Sequence, residues 1–424
     1  MYKAPRGTAD ILPGDQGYFG HIEEKAAELC RLYGYDRIDT PVFEDARLFV
    51  RTIGPGTDIV EKETYSFEDR SGQAMTLRPE GTAPICRAYL EHGMHNLPQP
   101  VRLYYFASIF RYERPQKGRY RQHQQFGIEA LGDGDPALDA EVIDMAWRFF
   151  ESLGLSHLCL QLNSIGCRLC RPHYLEQLKG YYSQHVEELC PDCKARLRRN
   201  PLRLLDCKKP SCQGLAAAAP KSTDSLCPDC KEHFESVVSY LSLLGIQFEK
   251  NHRLVRGLDY YTRTVFEVQP QGEEGAQSAL GGGGRYDDLI EELGGKPTPA
   301  IGFAVGIERI VLNMKGQGIE LPAASGQRVF VAYFGEEAKN EAVKLVATLR
   351  RSGIPTLSGL GDRSLRAQLR QANALGAVYA LIIGGDEVKS GAVVLRDMAK
   401  GEQRRVPVDE ALGLLRNPCA DFSK

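Results

Sequence analysis

At 424 residues the chain exceeds what one hydrophobic core usually holds, which points to two or three domains. Apolar residues make up 42% and charged residues 25%, an ordinary globular mix that argues against disorder, and no stretch approaches the 18 apolar residues of a membrane span. The formal charge of -2 supplies no whole-molecule field for a nucleic acid, so such a partner would have to meet local basic patches. The first residues, MYKAPRGTADILPGDQ, have no apolar secretory core, so a cytoplasmic location is expected.

In chain order, residues 16–33 place Ile22, Ala26, Leu29, Leu32 and Tyr33 near helical spacing and stop at Gly34, which predicts a helix. YDRIDTPVFED follows as a strand interrupted by Pro41, suited to a sheet edge or an interface. MTLRPEGTAPICRAYL (75–90) reads as strand, turn and helix. RLYYFASIFRYERP and HQQFGIEALG read as two strands joined by a charged loop. Asp135-Pro136 opens an amphipathic helix to Leu153, and HLCLQLNSIG is a further strand. Residues 167–250 are expected to be mostly helical. In RGLDYYTRTVFEV (256–268), Thr264, Phe266 and Val268 share one face of a strand, with Arg263 and Glu267 on the other. SALGGGGRYDDLIEELGG predicts a glycine turn and a helix, and PAIGFAVGIERIVLNM a strand and a helix. Hairpin-like strands with helices between them imply an α+β core with a mainly antiparallel sheet.

KGQGIELPAASGQ (315–327) has the small residues of a linker. Beyond it, RVFVAYF, 337–351, IPTLSG, 363–375 and YALIIGG alternate strand and helix, and GAVVLRD adds a strand, predicting a compact α/β module. From residue 328 onward, 15 Lys and Arg stand against 11 Asp and Glu, or +4, a modest basic balance that suits an RNA surface.

Several stretches have the composition of a site. RYERPQKGRYR (111–121) sets five basic residues and Glu113 in a turn, either a solvated hairpin loop or a phosphate clamp of arginine forks. GGGGRYDDL lacks the lysine and hydroxyl of a phosphate loop; its glycines suggest a close backbone approach to a ligand, and the plainer reading is a tight turn or a bulge in a strand, the two not being exclusive. In LRPEGT, Glu80 can hold an ammonium group, although a capping turn with Thr82 as the N-cap is the plainer reading. Arg309 in GFAVGIERI can stack on a base or simply sit at the surface. Neither G-x-S-x-G nor H-E-x-x-H occurs. Without a nucleophile constellation, positioning and charge stabilisation remain, which suits phosphoryl or nucleotidyl transfer.

Eight of the 12 cysteines lie between Cys167 and Cys230, in CRLC, CPDC, CKKPSC and CPDC. In a long chain with no secretory signal these read better as metal ligands than as disulfides. Cys190, Cys193, Cys227 and Cys230 form two knuckle pairs, and Cys207 and Cys212 can complete a tetrahedral zinc site. Cys167 and Cys170 can supply a further pair. Free thiols are the plainer alternative.

Five motifs in order resemble the histidyl-tRNA synthetase family of class II aminoacyl-tRNA synthetases, over nearly the whole chain. GYDRIDTPVF resembles motif 1, FRYERPQKGRYRQHQQFGIE motif 2 and GFAVGIERI motif 3, while LRPEGT and RGLDYYTRTVFEV resemble stretches particular to the histidine enzymes. The resemblance implies a class II catalytic domain over 1–325, with its core in 1–166 and 251–325. A helical, Cys-rich insertion at 167–250 interrupts it, and an anticodon-binding domain covers 328–424. It implies histidine activation with ATP and Mg²⁺ and transfer to tRNA(His), by a homodimer joined through motif 1. Arg256 and Arg111 would be catalytic at the α-phosphate. Glu80, Gly81 and Thr82 would hold the histidine ammonium, and Gln125, Glu129, Tyr260 and Tyr261 its pocket. Within that pocket, Glu129 and Tyr261 would read the two ring nitrogens. Arg111, Glu113, His123 and Arg309 would meet ATP, Gly281 to Gly284 would approach the adenylate, and Gln116 and Arg121 would meet the tRNA acceptor end. The family usually reads RQFHQ in motif 2 where this chain reads RQHQQ, so His123 stands at a phenylalanine position. The alternative is a histidine-sensing regulatory subunit of ATP phosphoribosyltransferase, a non-enzymatic paralogue that lacks the C-terminal domain. A pure RNA-binding protein is a third reading, with nothing beyond the core to support it.

Overall fold

The alternation of VRLYYFASIF buries every second residue, and this strand pairs along its whole length with the one that follows. The computed structural model describes residues 2–53, 62–116, 118–272, 279–321, 329–361 and 363–416. The chain divides into two compact units, Met1–Leu321 and Pro322–Lys424. The first contains strands β1 (Asp36–Arg37), β2 (Phe43–Asp45), β3 (Tyr65–Glu68), β4 (Ala74–Leu77), β5 (Val101–Phe110), β6 (Gln122–Leu131), β7 (Leu158–Ser164), β8 (Phe248–Lys250), β9 (Thr262–Pro270), β10 (Gly281–Arg285) and β11 (Ala300–Gly306).

Eight of these form one sheet in the order β1-β5-β6-β11-β10-β9-β7-β8. The end pairs, β1 with β5 and β7 with β8, are parallel. The pairs between them are antiparallel, as the hairpin-like order predicts. Pro41 separates β1, at the edge of the large sheet, from β2, which joins β3 and β4 in a small sheet.

Helices cover both faces. The helix Pro136–Ser152 starts at Asp135, whose carboxylate accepts the Ala137 N–H at 2.8 Å, and Pro136 occupies the first turn, where no N–H is needed. Its inner face packs a run of phenylalanines: Phe149 lies 5.0 Å from Phe126, and Phe150 6.0 Å from Phe303 between ring centroids. Helix Thr82–Glu91 covers the opposite face, where Ile85 and Tyr89 join a second buried cluster with Tyr105 and Tyr286.

The glycine run departs from the expected turn and follows the alternative, a strand with a bulge. It forms no turn. Gly281–Arg285 is β10, a buried central strand between β9 and β11. Space explains it: a Cβ on Gly283 would lie 2.0 Å from the Gly302 carbonyl oxygen. The register shifts between Gly284 and Arg285, opposite Arg263, which takes φ 48°.

In the second unit, β12 (Val329–Tyr333), β13 (Thr356–Ser358), β14 (Tyr379–Ile383), β15 (Ala392–Asp397) and β16 (Gln403–Pro407) form a sheet ordered β13-β12-β14-β15-β16. Its first three strands are parallel and the last two antiparallel. The strand β16 and the helices Gly385–Ser390 and Val408–Arg416 were not foreseen, since QRRVP alternates too few apolar residues to stand out. Residues 322–327 of the expected linker lie outside the described residues. Among the described residues, no helix is long and apolar enough to cross a membrane.

Candidate active site

A cavity of about 580 Å³ opens in the first unit over the ends of β6, β9, β10 and β11. Four of the sequence-predicted stretches meet there: Glu80 to Thr82, the turn after β5, the RGLDYY segment, and the start of helix Ile307–Gly316. Arg111, Arg256 and Arg309 all face it, from positions far apart in the chain. The Arg256 guanidinium lies 5.8 Å over the Tyr261 ring, with Nη1 3.4 Å from the Glu267 carboxylate. Its Nε has no hydrogen-bond partner. Gly282 is what seats it: a Cβ there would lie 2.7 Å from Arg256 Nη1 and from the Phe266 carbonyl oxygen. Arg111 Nε donates to the Pro79 carbonyl at 2.7 Å, and Arg309 donates to the carbonyls of Gly118 at 3.1 Å and Ala279 at 2.8 Å. These backbone anchors hold both guanidinium groups, and Arg111 also has the Glu113 carboxylate at 3.9 Å.

Beside the arginines lies a polar pocket. The Glu80 carboxylate accepts the N–H groups of Thr82 at 2.7 Å and Ala83 at 2.8 Å, capping the helix Thr82–Glu91. The N-cap residue is Gly81, so the expected Thr82 cap is replaced by the Glu80 side chain. Thr82 instead donates its hydroxyl to Glu129 at 2.7 Å, and Tyr286 donates to the other Glu129 oxygen at 2.5 Å. Burial lifts the Glu129 carboxyl from its ordinary 4.5 to about 8, so it is largely protonated at neutral pH. Burial also raises Glu80, partly offset by the Ala83 and Thr82 N–H groups and by Arg111. His123 moves the other way: burial, then the charges of Arg111 and Arg309, push it from 6.5 to about 3. It therefore presents a neutral ring to the cavity. The Gln125 Oε1 and the Tyr105 hydroxyl have no hydrogen-bond partner. Buried polar atoms left open beside three arginines suit a polar, anionic ligand.

The histidyl-tRNA synthetase family model matches residues 7–171 and 185–310, which include every element of this cavity's floor. The chain belongs to the histidyl-tRNA synthetase family. An anticodon binding domain model matches residues 328–417. A histidine–tRNA ligase of Dehalococcoides mccartyi is 59% identical over 97% of this chain and 98% of its own length. The crystal structure of the apo histidyl-tRNA synthetase of S. aureus shares 38% identity and a TM-score of 0.83, covering 98% of this chain and all of that one. A Bacillus halodurans structure described as an ATP phosphoribosyltransferase regulatory subunit/histidyl-tRNA synthetase covers 91% of this chain and 99% of its own, at TM-score 0.65. Its identity is 24%, so that likeness shows the fold alone.

Against the family motifs, the cavity walls include Glu80, Gly81, Thr82, Arg111, Glu113, His123, Gln125, Arg256, Tyr260, Tyr261, Gly281, Gly282 and Arg309. Five expected site residues are not on the walls: Gly283 and Gly284, which lie against the backbones of the neighbouring strands, and Glu129, Gln116 and Arg121. Glu129 sits one layer behind, reached through Thr82 and Tyr286. Gln116 is exposed in the motif 2 turn. Arg121 stacks 3.7 Å over the Tyr112 ring and donates to the Glu113 carbonyl at 3.2 Å and the Arg6 carbonyl at 3.4 Å, so its side chain is already engaged. Sequence reasoning missed Glu267, buried opposite Arg256, and Arg119, paired with Glu113 at 3.2 Å. It also missed a wall from the Cys-rich segment, where Arg196, Arg199 and Arg203 line the cavity. The signal was there in KARLRRNPLR, a lysine and four arginines that follow CPDC.

The cysteines group differently from the sequence expectation. Cys227 and Cys230 do not join Cys190 and Cys193. They meet Cys167 and Cys170, while Cys190, Cys193, Cys207 and Cys212 form a second cluster; within each group the sulfurs lie within 4.8 Å of one another. The chain path explains this. Helix Pro228–Leu243 returns to pack on Pro136–Ser152, which brings Cys227 back beside the point where the segment leaves the sheet after β7.

Proposed function

We propose that the chain activates L-histidine with ATP, forming histidyl-adenylate and pyrophosphate, and then transfers histidine to the 3′ end of tRNA(His). It is an AMP-forming aminoacyl-tRNA ligase. The observation that carries this reading is the convergence of Arg111, Arg256 and Arg309 on one cavity beside the Glu80–Thr82–Gln125–Tyr261 pocket.

The histidine carboxylate attacks the α-phosphorus in line, and pyrophosphate leaves. Negative charge grows on the equatorial oxygens, and Arg256 and Arg111, held by packing and backbone bonds, stabilise it without reorganising. Glu113 contacts ATP near Arg111, Arg309 lies on the adenine, and the neutral ring of His123 stacks beside it. Glu80 and Thr82 hold the α-ammonium, with Gly81 admitting it; a cation arriving there supplies the charge partner that burial denies Glu80. Gln125, Tyr260 and Tyr261 face the imidazole. Glu129 reads one of its nitrogens by exchanging the hydroxyl of Thr82 for the ring, and Tyr261 reads the other. Such a pocket rejects apolar side chains because its own polar groups would stay unpaired. Glu113 and Glu267 are cavity carboxylates of the hard-oxygen kind that Mg²⁺ prefers and would hold it; when bound, the ion neutralises phosphate charge.

The rest of the reading follows the family: a homodimer through the motif 1 segment in the cytoplasm, Gln116 and Arg121 toward the acceptor end, and residues 328–424 on the anticodon. The regulatory-subunit reading is not favoured, given the ligase relative at 59% identity and the match to an anticodon binding domain. Histidine-dependent ATP–pyrophosphate exchange, with the other amino acids as controls, tests the proposal. Exchange with histidine alone is expected. Clear histidine binding without exchange would move the chain to the regulatory reading.

A further inference from the structure

The insertion contributes seven residues to the cavity wall, and all of them lie between Cys190 and Cys207. They include Asp192, Arg196, Arg199, Asn200 and Arg203. Helix Pro191–Arg199 begins between two of the clustered cysteines, Cys190 and Cys193, and the short turn Pro201–Leu204 leads to a third, Cys207. The arginine wall is therefore a loop whose ends are both held at one thiolate cluster.

The sulfur spacing has the form of a metal shell. Cys190 and Cys207 Sγ lie 3.8 Å apart, and Cys167 Sγ lies 3.9 Å from both Cys170 and Cys227. A disulfide would need about 2.05 Å. A tetrahedral ion with Zn–S bonds of about 2.3 Å sets its sulfurs roughly 3.8 Å apart. Backbone N–H groups point at the sulfurs, from Cys167 to Cys170 Sγ at 3.3 Å, Leu169 to Cys167 Sγ at 3.4 Å and Cys190 to Cys212 Sγ at 3.3 Å. Such donors stabilise thiolate charge. The hydrophobic cluster around the second site is small and includes Cys193, Cys207 and Cys212 themselves, with Leu204, Leu205 and Tyr182. A core of that size needs a staple.

We propose that each cluster binds one Zn²⁺ and that the two ions have separate tasks. The ion at Cys167, Cys170, Cys227 and Cys230 closes the base of the insertion, where it leaves and rejoins the sheet. The ion at Cys190, Cys193, Cys207 and Cys212 fixes the arginine wall against the phosphates of ATP, assisted by Asn200, which donates to Asp259 of the RGLDYY segment at 2.7 Å. The second task rests on the reading of the cavity as an ATP site.

The test counts zinc per full-length chain by elemental analysis and measures histidine-dependent pyrophosphate exchange. Two ions per wild-type chain are expected. Cys207→Ser should retain one ion and raise the KM for ATP about tenfold, the size of one or two lost charge-assisted phosphate contacts, with the KM for histidine little changed. Cys227→Ser should also retain one ion but leave the KM for ATP unaltered. Arg203→Ala should keep both ions and raise the KM for ATP, which separates the wall's role from misfolding. A wild-type count of one or none overturns the paired sites. An unchanged KM for ATP in Cys207→Ser, or an equal rise in Cys227→Ser, overturns the positioning role. Two ions with no exchange in the wild type would sink the ATP reading and leave the metal sites standing.

Discussion

The two units bury polar groups in different ways. In the first, Glu80, Glu129, Asp139, Glu267 and Arg285 are all buried. In the second, the central strands β12 and β14 read VFVAY and YALII and are buried throughout, while the buried polar side chains among the described residues are Thr356, Gln368 and Asp397. Apolar area holds the second sheet together. The first sheet carries charges that burial disfavours, so each must find a partner or wait for a ligand. Two arginines show the two outcomes. Arg285 is fully satisfied, donating to Asp139, to Asp287 at 2.9 Å and to the Asp133 carbonyl at 2.6 Å, and His233 completes the set at 2.8 Å from Asp139. Arg256 has one carboxylate at 3.4 Å and an open Nε. The first is structural and the second faces the cavity.

That contrast can be broken by experiment. The largest effect expected is from Arg256→Ala, which should lower histidine-dependent exchange by about 10²–10³-fold or more while histidine binding, measured by calorimetry, changes little. Equal loss of both would place Arg256 with Arg285 as a folding residue. Arg285→Met should cost about 3–5 kcal/mol in denaturant unfolding of the first unit, because buried Asp139 loses its guanidinium partner and keeps only His233 beside it. Leu381→Ala in the second unit should cost roughly 2–5 kcal/mol through cavity creation alone, with no pH dependence of its own. If Arg285→Met proved milder than Leu381→Ala, the network would not be what holds the first sheet.

A smaller effect concerns Glu129. Its folded-state carboxyl titrates near 8 against an ordinary 4.5, so between those values the folded chain holds a proton that the unfolded chain has released. This contribution is full below about pH 4.5 and is lost as pH rises through 8. Glu129→Gln should flatten the fall in stability over that window, and an unchanged slope would mean that the carboxyl is ionised in the fold. The smallest change is expected of His123→Phe. Because the imidazole is already neutral, the KM for ATP should move less than about threefold. A tenfold improvement would show that the histidine impairs adenine stacking.

Much of the molecule was legible before folding. The helix from Asp135, the paired strands around motif 2 and the break at Pro41 all follow from local physics: a cap, an alternation, and a residue that cannot donate to a ladder. The motif residues that line the cavity were legible too, because arginine, glycine and tyrosine in that density have few structural uses. What resisted reading was long-range. Local rules leave the glycine run as either a turn or a bulged strand, and the closeness of β9 and β11 makes it a strand. The cysteine spacings permit several groupings, and the choice was made by where helix Pro228–Leu243 packs. The position of Glu129 behind the pocket wall and the arrival of Arg196, Arg199 and Arg203 at the cavity are likewise set by packing between segments far apart in the chain. Sequence by itself determined the elements, their capping and the chemistry available, since those depend on neighbours within a few residues. Tertiary structure decided which charges are neutralised, which stay open and which thiols meet, since burial and distance exist only once the sheet has closed.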